Sequence, residues 1–354
     1  MTKFTLPCEW HKQSAVMLTW PHKDTDWLNW LDDIEAVYIE LCQQITRFQK
    51  VVVACHDQSL EIHVLKLLSE NNVNPSAVRT FIAPCNDTWA RDHGPITLIR
   101  PNELNNDLEL EYETQICDFT FNAWGDKYQA SLDDKINQSL IMQPFCNLQH
   151  YQNYDFVLEG GSIESDGNGS LLTTEKCLLN PNRNNKYSKQ EIEQGLIDLL
   201  GVDQIHWLQH GSLAGDDTDA HVDTLARFAP NGIVYVTCDD ENSVNYHELQ
   251  LMEQELGLLK NTKGEKYKLF GLPSPKAKYN DEGEQLPATY ANFLVINNAV
   301  LVPTYNDDND ERALEIISDA FTGYEVIGID CCTVIQQFGS LHCLTMQIPE
   351  GLIL

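Results

Sequence analysis

Positive charge is scarce in this chain. Its 354 residues hold 23 Lys and Arg against 53 Asp and Glu, a formal net charge of −30. Such a surface repels phosphate backbones and acidic lipid head groups, which argues against a nucleic-acid or membrane partner. Long apolar runs are also missing, and nothing approaches the ~20 residues that span a bilayer. The segment that opens with Met1 and Pro7 continues into polar Glu9, His11 and Lys12 without an apolar signal core, so a cytoplasmic location is expected. The 11 cysteines are scattered, with no CxxC pair and no metal spacing. We therefore expect no metal, no other cofactor and mostly reduced, small core thiols. No linker interrupts the chain, and 1–354 reads as a single domain. Its loosest stretches are 102–108, 182–186 and 261–285.

What is present is a mixture of strand and helix patterns in which helices and strands alternate, as in a mixed α/β chain. Apolar β-branched runs at 51–54, 96–99, 232–236, 293–296 and 299–302 read as buried strands. Apolar residues at three- and four-residue spacing predict helices over 32–48, 59–70, 188–200, 246–258 and 310–321. Ser188, with Glu191 three residues on, forms a capping-box pattern, and Asp310 is a second candidate N-cap.

Four polar motifs recur along the chain: Arg91-Asp92-His93-Gly94-Pro95, Glu159-Gly160-Gly161, His221-Val222-Asp223 and His342-Cys343. Asp92 and Glu159 are 67 residues apart, Glu159 and His221 are 62, and the 122 from His221 to Cys343 is about twice that step. A pseudo-symmetric repeat of five units, with one beat skipped, would bring these side chains to one centre. The motifs follow strand-like segments or sit at turns, where a barrel-like or propeller-like array exposes its centre. Acid, acid, His-Asp and Cys are a set suited to attack by sulfur on a cationic carbon.

Each motif also has a plainer reading. A single Cys is usually core, Arg91 with a carboxylate could anchor a turn, and Glu159 could end a strand. In an extended segment, side chains 221 and 223 share one face, so His221 and Asp223 would look into one cavity. Asp216, Asp217, Asp219 and Asp223 repel one another unless a cation or solvent relieves them. That loop lacks the central Gly and terminal Glu of a Ca²⁺ site.

The whole set resembles the agmatine deiminase family of the guanidine-modifying, peptidylarginine-deiminase-like superfamily. The resemblance runs nearly end to end: Pro7-Cys8-Glu9-Trp10, Asn86-Asp87-Thr88-Trp89 leading into the Arg91 motif, Phe121-Asn122-Ala123-Trp124, Glu159-Gly160-Gly161, Asp217-Thr218-Asp219-Ala220-His221-Val222-Asp223, Tyr290-Ala291-Asn292-Phe293 and His342-Cys343. It implies a five-bladed pseudo-symmetric α/β propeller, the pentein fold, built of ββαβ-type modules. By it, Cys343 is the nucleophile, His221 the acid/base, and Asp92 and Asp223 grip the guanidinium. Glu159 positions His221 and substrate, and Trp89 walls the pocket. Asp217 is the first candidate for a substrate's tail ammonium, with Asp219 next.

The chain departs from the family pattern in three places. Gln337-Phe338-Gly339-Ser340-Leu341 stands for Gly-Gly-Gly-Asn-Ile, Glu164 for a His, and Asp219-Ala220 for Asn-Gly. These leave the core chemistry in place and bear on contacts to the substrate's tail.

The implied reaction is hydrolysis of agmatine to N-carbamoylputrescine and ammonia through a Cys thiouronium intermediate, and it serves putrescine and polyamine biosynthesis. The expected partner is a small cationic guanidine, and self-association as a homo-oligomer stays open. Two alternatives remain. One is a deiminase of arginine or peptide-terminal arginine, with Arg91 or Arg183 meeting the carboxylate. The other is a catalytically silent, cation-binding propeller.

Overall fold

The computed structural model describes residues 2–102 and 112–354. The chain is α/β, as its alternating patterns predict. Most of the expected loose stretch 102–108 lies outside the described residues.

The first sheet contains β1 (Gln13–Thr19), β2 (Lys50–Cys55) and β3 (Val78–Ile82), all parallel. Parallel neighbours need a crossover, and helices supply it here: α1 (Leu31–Ile45) joins β1 to β2, and α2 (Gln58–Glu70) joins β2 to β3. β1 and β2 are buried on both faces, which is why Val51-Val52-Val53-Ala54 is an unbroken apolar run. Alternate residues serve different cores. Val16, Leu18, Val51 and Val53 enter one hydrophobic cluster; Ala15, Met17, Val52 and Ala54 enter the other.

A common order then recurs along the chain: two antiparallel strands, a crossover, and a third strand parallel to the second. It appears in β4 (Ile96–Pro101), β5 (Tyr112–Thr120) and β6 (His150–Val157). It appears again in β7 (Glu164–Ser165), β8 (Ser170–Thr174) and β9 (Gln204–Leu208), and in β10 (Ala226–Ala229), β11 (Gly232–Val236) and β12 (Leu269–Leu272). After a short ribbon, β13 (Lys278–Tyr279) with β14 (Gln285–Leu286), it returns in β15 (Leu294–Ile296), β16 (Ala299–Thr304) and β17 (Glu325–Asp330). Finally β18 (Thr345–Pro349) pairs antiparallel with β1, so the two ends of the chain complete the first sheet in the same order.

Among the later crossovers, α4 (Lys189–Leu200), α5 (Tyr246–Leu256) and α6 (Asp310–Ala320) follow one turn of helix, α3 (Ala90–His93). Ser188 caps α4 through a capping box with Glu191, as its sequence predicts. Asp310 does not cap α6. Asn309 holds the N-cap position, and the Asp310 carboxylate instead accepts from the backbone N–H of Tyr305 and Asp307 and from the Tyr290 hydroxyl. The stretch 261–285 also holds more order than its Lys, Gly and Pro content suggests, since β12 and β13 lie within it.

No described helix is long and apolar enough to cross a membrane.

Candidate active site

The junctions between successive sheets carry the polar motifs. α3, between β3 and β4, presents Asp92; Glu159 follows β6; His221 and Asp223 lie between β9 and β10; Cys343 lies between β17 and β18. The remaining junction, before β15, presents Asn292, which supplies the beat the four motifs skip. Its Oδ1 accepts from the backbone N–H of His342 at 2.9 Å and of Cys343 at 3.3 Å, and from the Cys343 thiol at 3.4 Å. Asn292 stood in the motif Tyr290-Ala291-Asn292-Phe293, but an amide carries no catalytic chemistry that would mark it in sequence.

Asp92 accepts from Trp124 Nε1 at 2.9 Å and from the Gly161 N–H at 3.1 Å. Burial, reinforced by the charge of Glu159, pushes its pKa up to about 7. Gly160 and Gly161 permit the packing around it. A β-carbon at Gly160 would lie 2.2 Å from the Arg91 carbonyl oxygen, and one at Gly161 would strike His221, Asp92 and Asp223 together.

His221 and Asp223 do not share a strand face. They open a 3-10 turn over Val222–Thr224, and each side chain has its own neighbour. His221 Nδ1 lies 3.6 Å from Asp92 Oδ1, and among the described residues neither of its ring nitrogens has a hydrogen-bond partner. Burial, with the positive charges of Arg183 and Lys127, holds its pKa well below the usual value, so the ring is neutral. A neutral imidazole with a free nitrogen has room for a proton, but its lowered pKa makes it a weak base that can hold one only transiently.

Asp223 Oδ2 lies 2.7 Å from His342 Nδ1, and His342 Nε2 lies 2.8 Å from Glu9 Oε2. Burial, then the nearby Asp92, raises the Asp223 pKa well above the carboxylate range. His342 is held neutral by burial and by Arg227 and Arg91. Although burial opposes its charge, Glu9 stays anionic, because His342, Arg227 at 2.6 Å and Arg91 at 3.9 Å lower its pKa. One proton arrangement fits all three groups: protonated Asp223 donates to His342 Nδ1, and His342 Nε2–H donates to Glu9. Neither Glu9 nor His342 was assigned a role from sequence, although both stood in the quoted motifs. Their contact joins opposite ends of the chain.

Glu159 is fully buried against Arg183, whose Nε donates to both its oxygens at 2.8 and 3.1 Å. It lies close to His221 but is not hydrogen-bonded to it; the three ligand-type atoms of Glu159, Cys177 and His221 fall within 4.8 Å of one another. Arg183 also binds Asp219 at 2.7 Å and the Thr218 carbonyl. Fixed protein groups thus relieve the crowded acidic loop. Lys127 reaches Asp217 and Asp219, and Asp216 accepts from the N–H groups of Thr218 and Ala220.

Cys343 is buried, and burial, with the Asp223 and Asp92 carboxyl groups beside it, raises its thiol pKa well above the usual value. It forms the floor of a pocket whose walls include Trp89, Trp124, Tyr128, Phe338 and Gly339. Gly339 is needed there because a β-carbon would fall 2.2 Å from the Trp89 ring. Four carboxylates, Asp26, Asp87, Asp92 and Asp217, line the same pocket, and no Lys or Arg does among the described residues. Tyr128 donates its hydroxyl proton to Asp217 at 2.6 Å. Asp26 and Asp87 were not singled out as site residues from sequence. Asp87 stood in the Trp89 motif; Asp26 had no signal.

Arg91 anchors no carboxylate within its own turn. It donates to Gln347 at 2.5 Å and faces Glu9, buried away from the pocket. Arg183 is committed to Glu159, Asp219 and Thr218, and Arg91 does not line the pocket.

The model of the Porphyromonas-type peptidyl-arginine deiminases matches residues 5–349. The chain belongs to that family. Among members of known structure, a Cys-to-Ser variant of C. jejuni agmatine deiminase with substrate bound is 38% identical, with a TM-score of 0.87 over 99% of this chain and 97% of the other. A Porphyromonas gingivalis protein provisionally assigned as an arginine deiminase is 43% identical, with a TM-score of 0.89 over 99% and 100%. A Legionella pneumophila protein provisionally named an agmatine deiminase is 34% identical over 98% of this chain and 96% of its own length.

Within this deiminase family the chain's departures have physical correlates. Asp219 and Ala220 adopt φ of 65° and 63°, the left-handed region that Asn-Gly would enter more easily. Glu164 pairs with Arg227. Phe338 is left-handed as well, φ 60°, and its ring lines the pocket where glycine would leave space.

Proposed function

We propose that this protein hydrolyses agmatine to N-carbamoylputrescine and ammonia through a covalent intermediate on Cys343. The observation that carries this reading is the pocket above the thiol, lined by four carboxylates and, among the described residues, by no Lys or Arg. Agmatine is a dication with a guanidinium at one end and an ammonium at the other. Arginine would bring a carboxylate into this acidic lining, where like charge disfavours it.

In the proposed mechanism Asp92 and Asp223 give up their protons to solvent on meeting the guanidinium, accept its N–H groups and fix its plane. The cation reverses the field that keeps Cys343 protonated. His221 takes the thiol proton and the sulfur adds to the guanidinium carbon. His221 then returns that proton to the departing nitrogen, and ammonia leaves a thiouronium. Water next attacks the same carbon, His221 accepts its proton, the C–S bond breaks, and the ureido product leaves. Glu159 with Arg183 holds the wall behind His221, Trp89 walls the guanidinium, and Asp217 meets the tail ammonium.

We read the five repeated modules as blades around one axis, and 1–354 as one domain. The convergence of the junction residues supports this.

The test is to incubate the protein with agmatine, arginine and a peptide ending in arginine, assaying ammonia and ureido product with Cys343→Ser as control. Product from agmatine alone is expected. Release from arginine or peptide in preference would replace the substrate assignment, and no ammonia from any of the three would end the enzymatic reading.

A further inference from the structure

A second cluster of ligating side chains lies outside the pocket. His22, His56 and Cys85 follow the C-terminal ends of β1, β2 and β3, three parallel neighbours in the first sheet. Chains leaving adjacent parallel strands converge at that edge, a common place for ligands in α/β sheets.

One nitrogen or sulfur atom from each of the three side chains lies within 4.8 Å of the others. The His22 and His56 rings are 4.1 Å apart between centroids. The Cys85 Sγ is 3.9 Å from His56 Nδ1. His22 is 6% exposed, yet its Nε2 has no hydrogen-bond partner among the described residues. A buried nitrogen left unmatched in this way costs free energy unless something fills the gap. Cys85 is almost fully buried, whereas His56 is half-buried and leaves a path from solvent.

We propose that His22, His56 and Cys85 form a binding site for a divalent metal of the Zn²⁺ class. Two imidazoles and a thiolate are a borderline-soft donor set that suits Zn²⁺ or Co²⁺, with water as fourth ligand. Metal bonds of roughly 2.0–2.3 Å require the three ligand atoms to draw together by about 1 Å, which side-chain rotation supplies. Binding displaces the Cys85 thiol proton to solvent, so affinity rises with pH. The sequence shows no spacing for this site because its ligands are separated by a full strand and crossover each. Cys85 stands two residues before Asp87 and four before Trp89, so the ion ties down the segment that carries part of the substrate pocket.

The experiment titrates chelator-treated full-length protein with Co²⁺ and then displaces it with Zn²⁺. One Co²⁺ per chain is expected, with the near-ultraviolet absorption of a thiolate–cobalt bond. That absorption should persist in Cys343→Ser and vanish in Cys85→Ser, and His56→Gln should weaken binding by about tenfold or more. Circular dichroism checks that the variants fold; if Cys85→Ser does not, His56→Gln decides. Co²⁺ uptake without the thiolate band overturns the site, as does a band that survives Cys85→Ser or is lost in Cys343→Ser. Unchanged affinity in folded His56→Gln overturns it too.

Discussion

A β-carbon placed on Gly161 would lie 2.7 Å from His221 Nδ1, 2.9 Å from Asp92 Oδ1 and 3.1 Å from Asp223 Oδ2. The alanine therefore fits only if the three proposed catalytic side chains move. Displacements near 1 Å in such sites cost about 100-fold in rate. Gly161→Ala is expected to fold, by circular dichroism, and to lose about that much kcat/KM for agmatine. Asp92 yields a pH prediction. Its pKa is raised to about 7 in the free protein, whereas a bound guanidinium favours the ionised form. Ionising Asp92 on binding thus releases a proton below pH 7, so affinity must climb with pH through that range, by up to about tenfold per unit for each proton released. Calorimetry on Cys343→Ser with agmatine, in buffers of different ionisation enthalpy, measures both the climb and the proton. Asp217 lies at the pocket wall with Tyr128 on its carboxylate. Asp217→Ala should lower the preference for agmatine over a simple alkylguanidine by about tenfold, the scale of one charged hydrogen bond. Equal kcat/KM ratios in variant and parent would remove the residue from tail recognition.

At the scale of elements, local rules predicted what local rules govern. Apolar spacing predicted α1, α2, α4, α5 and α6, and the capping box at Ser188 has its two reciprocal hydrogen bonds. Ser188→Ala should destabilise the protein by about 1 kcal/mol in denaturant unfolding, with activity unchanged, since it removes only that cap. Where a motif depends on its partner, local reading failed. His221 and Asp223 were expected to share a strand face, but the chain turns between Val222 and Thr224 so that His221 faces Asp92 and Asp223 faces His342. Asp310 looks like a cap and is instead spent on Tyr305, Asp307 and Tyr290. No short stretch encodes the His221 and Asp223 partners, and for Asp310 the choice of the preceding loop over the helix start goes with its contact to Tyr290, 20 residues away.

For the whole molecule, the net charge of −30 and the acidic pocket act in the same direction on a dication. Long-range attraction speeds encounter at low salt and is screened when the Debye length shrinks, from about 30 Å at 0.01 M to about 3 Å at 1 M. Raising salt over that range should lower kcat/KM for agmatine several-fold with kcat nearly constant, as stopped assays at low substrate would show.

The four spaced motifs and the α/β character were legible in the chain because they rest on residue type and periodicity; the roles of Cys343, His221, Asp92, Asp223 and Glu159 rest on the family resemblance and stand as proposals. Asn292, Glu9, His342, Asp26 and the fates of Arg91 and Arg183 were not legible. Their meaning lies in contacts across as many as 333 positions, as between Glu9 and His342. Composition and spacing select the chemistry, since a thiol, an imidazole and carboxylates are what attack on a guanidinium needs. Folding selects which carboxylate is protonated, which arginine is spent and which wall stays purely acidic, because burial and neighbouring charge are properties of the packed molecule rather than of any segment of it.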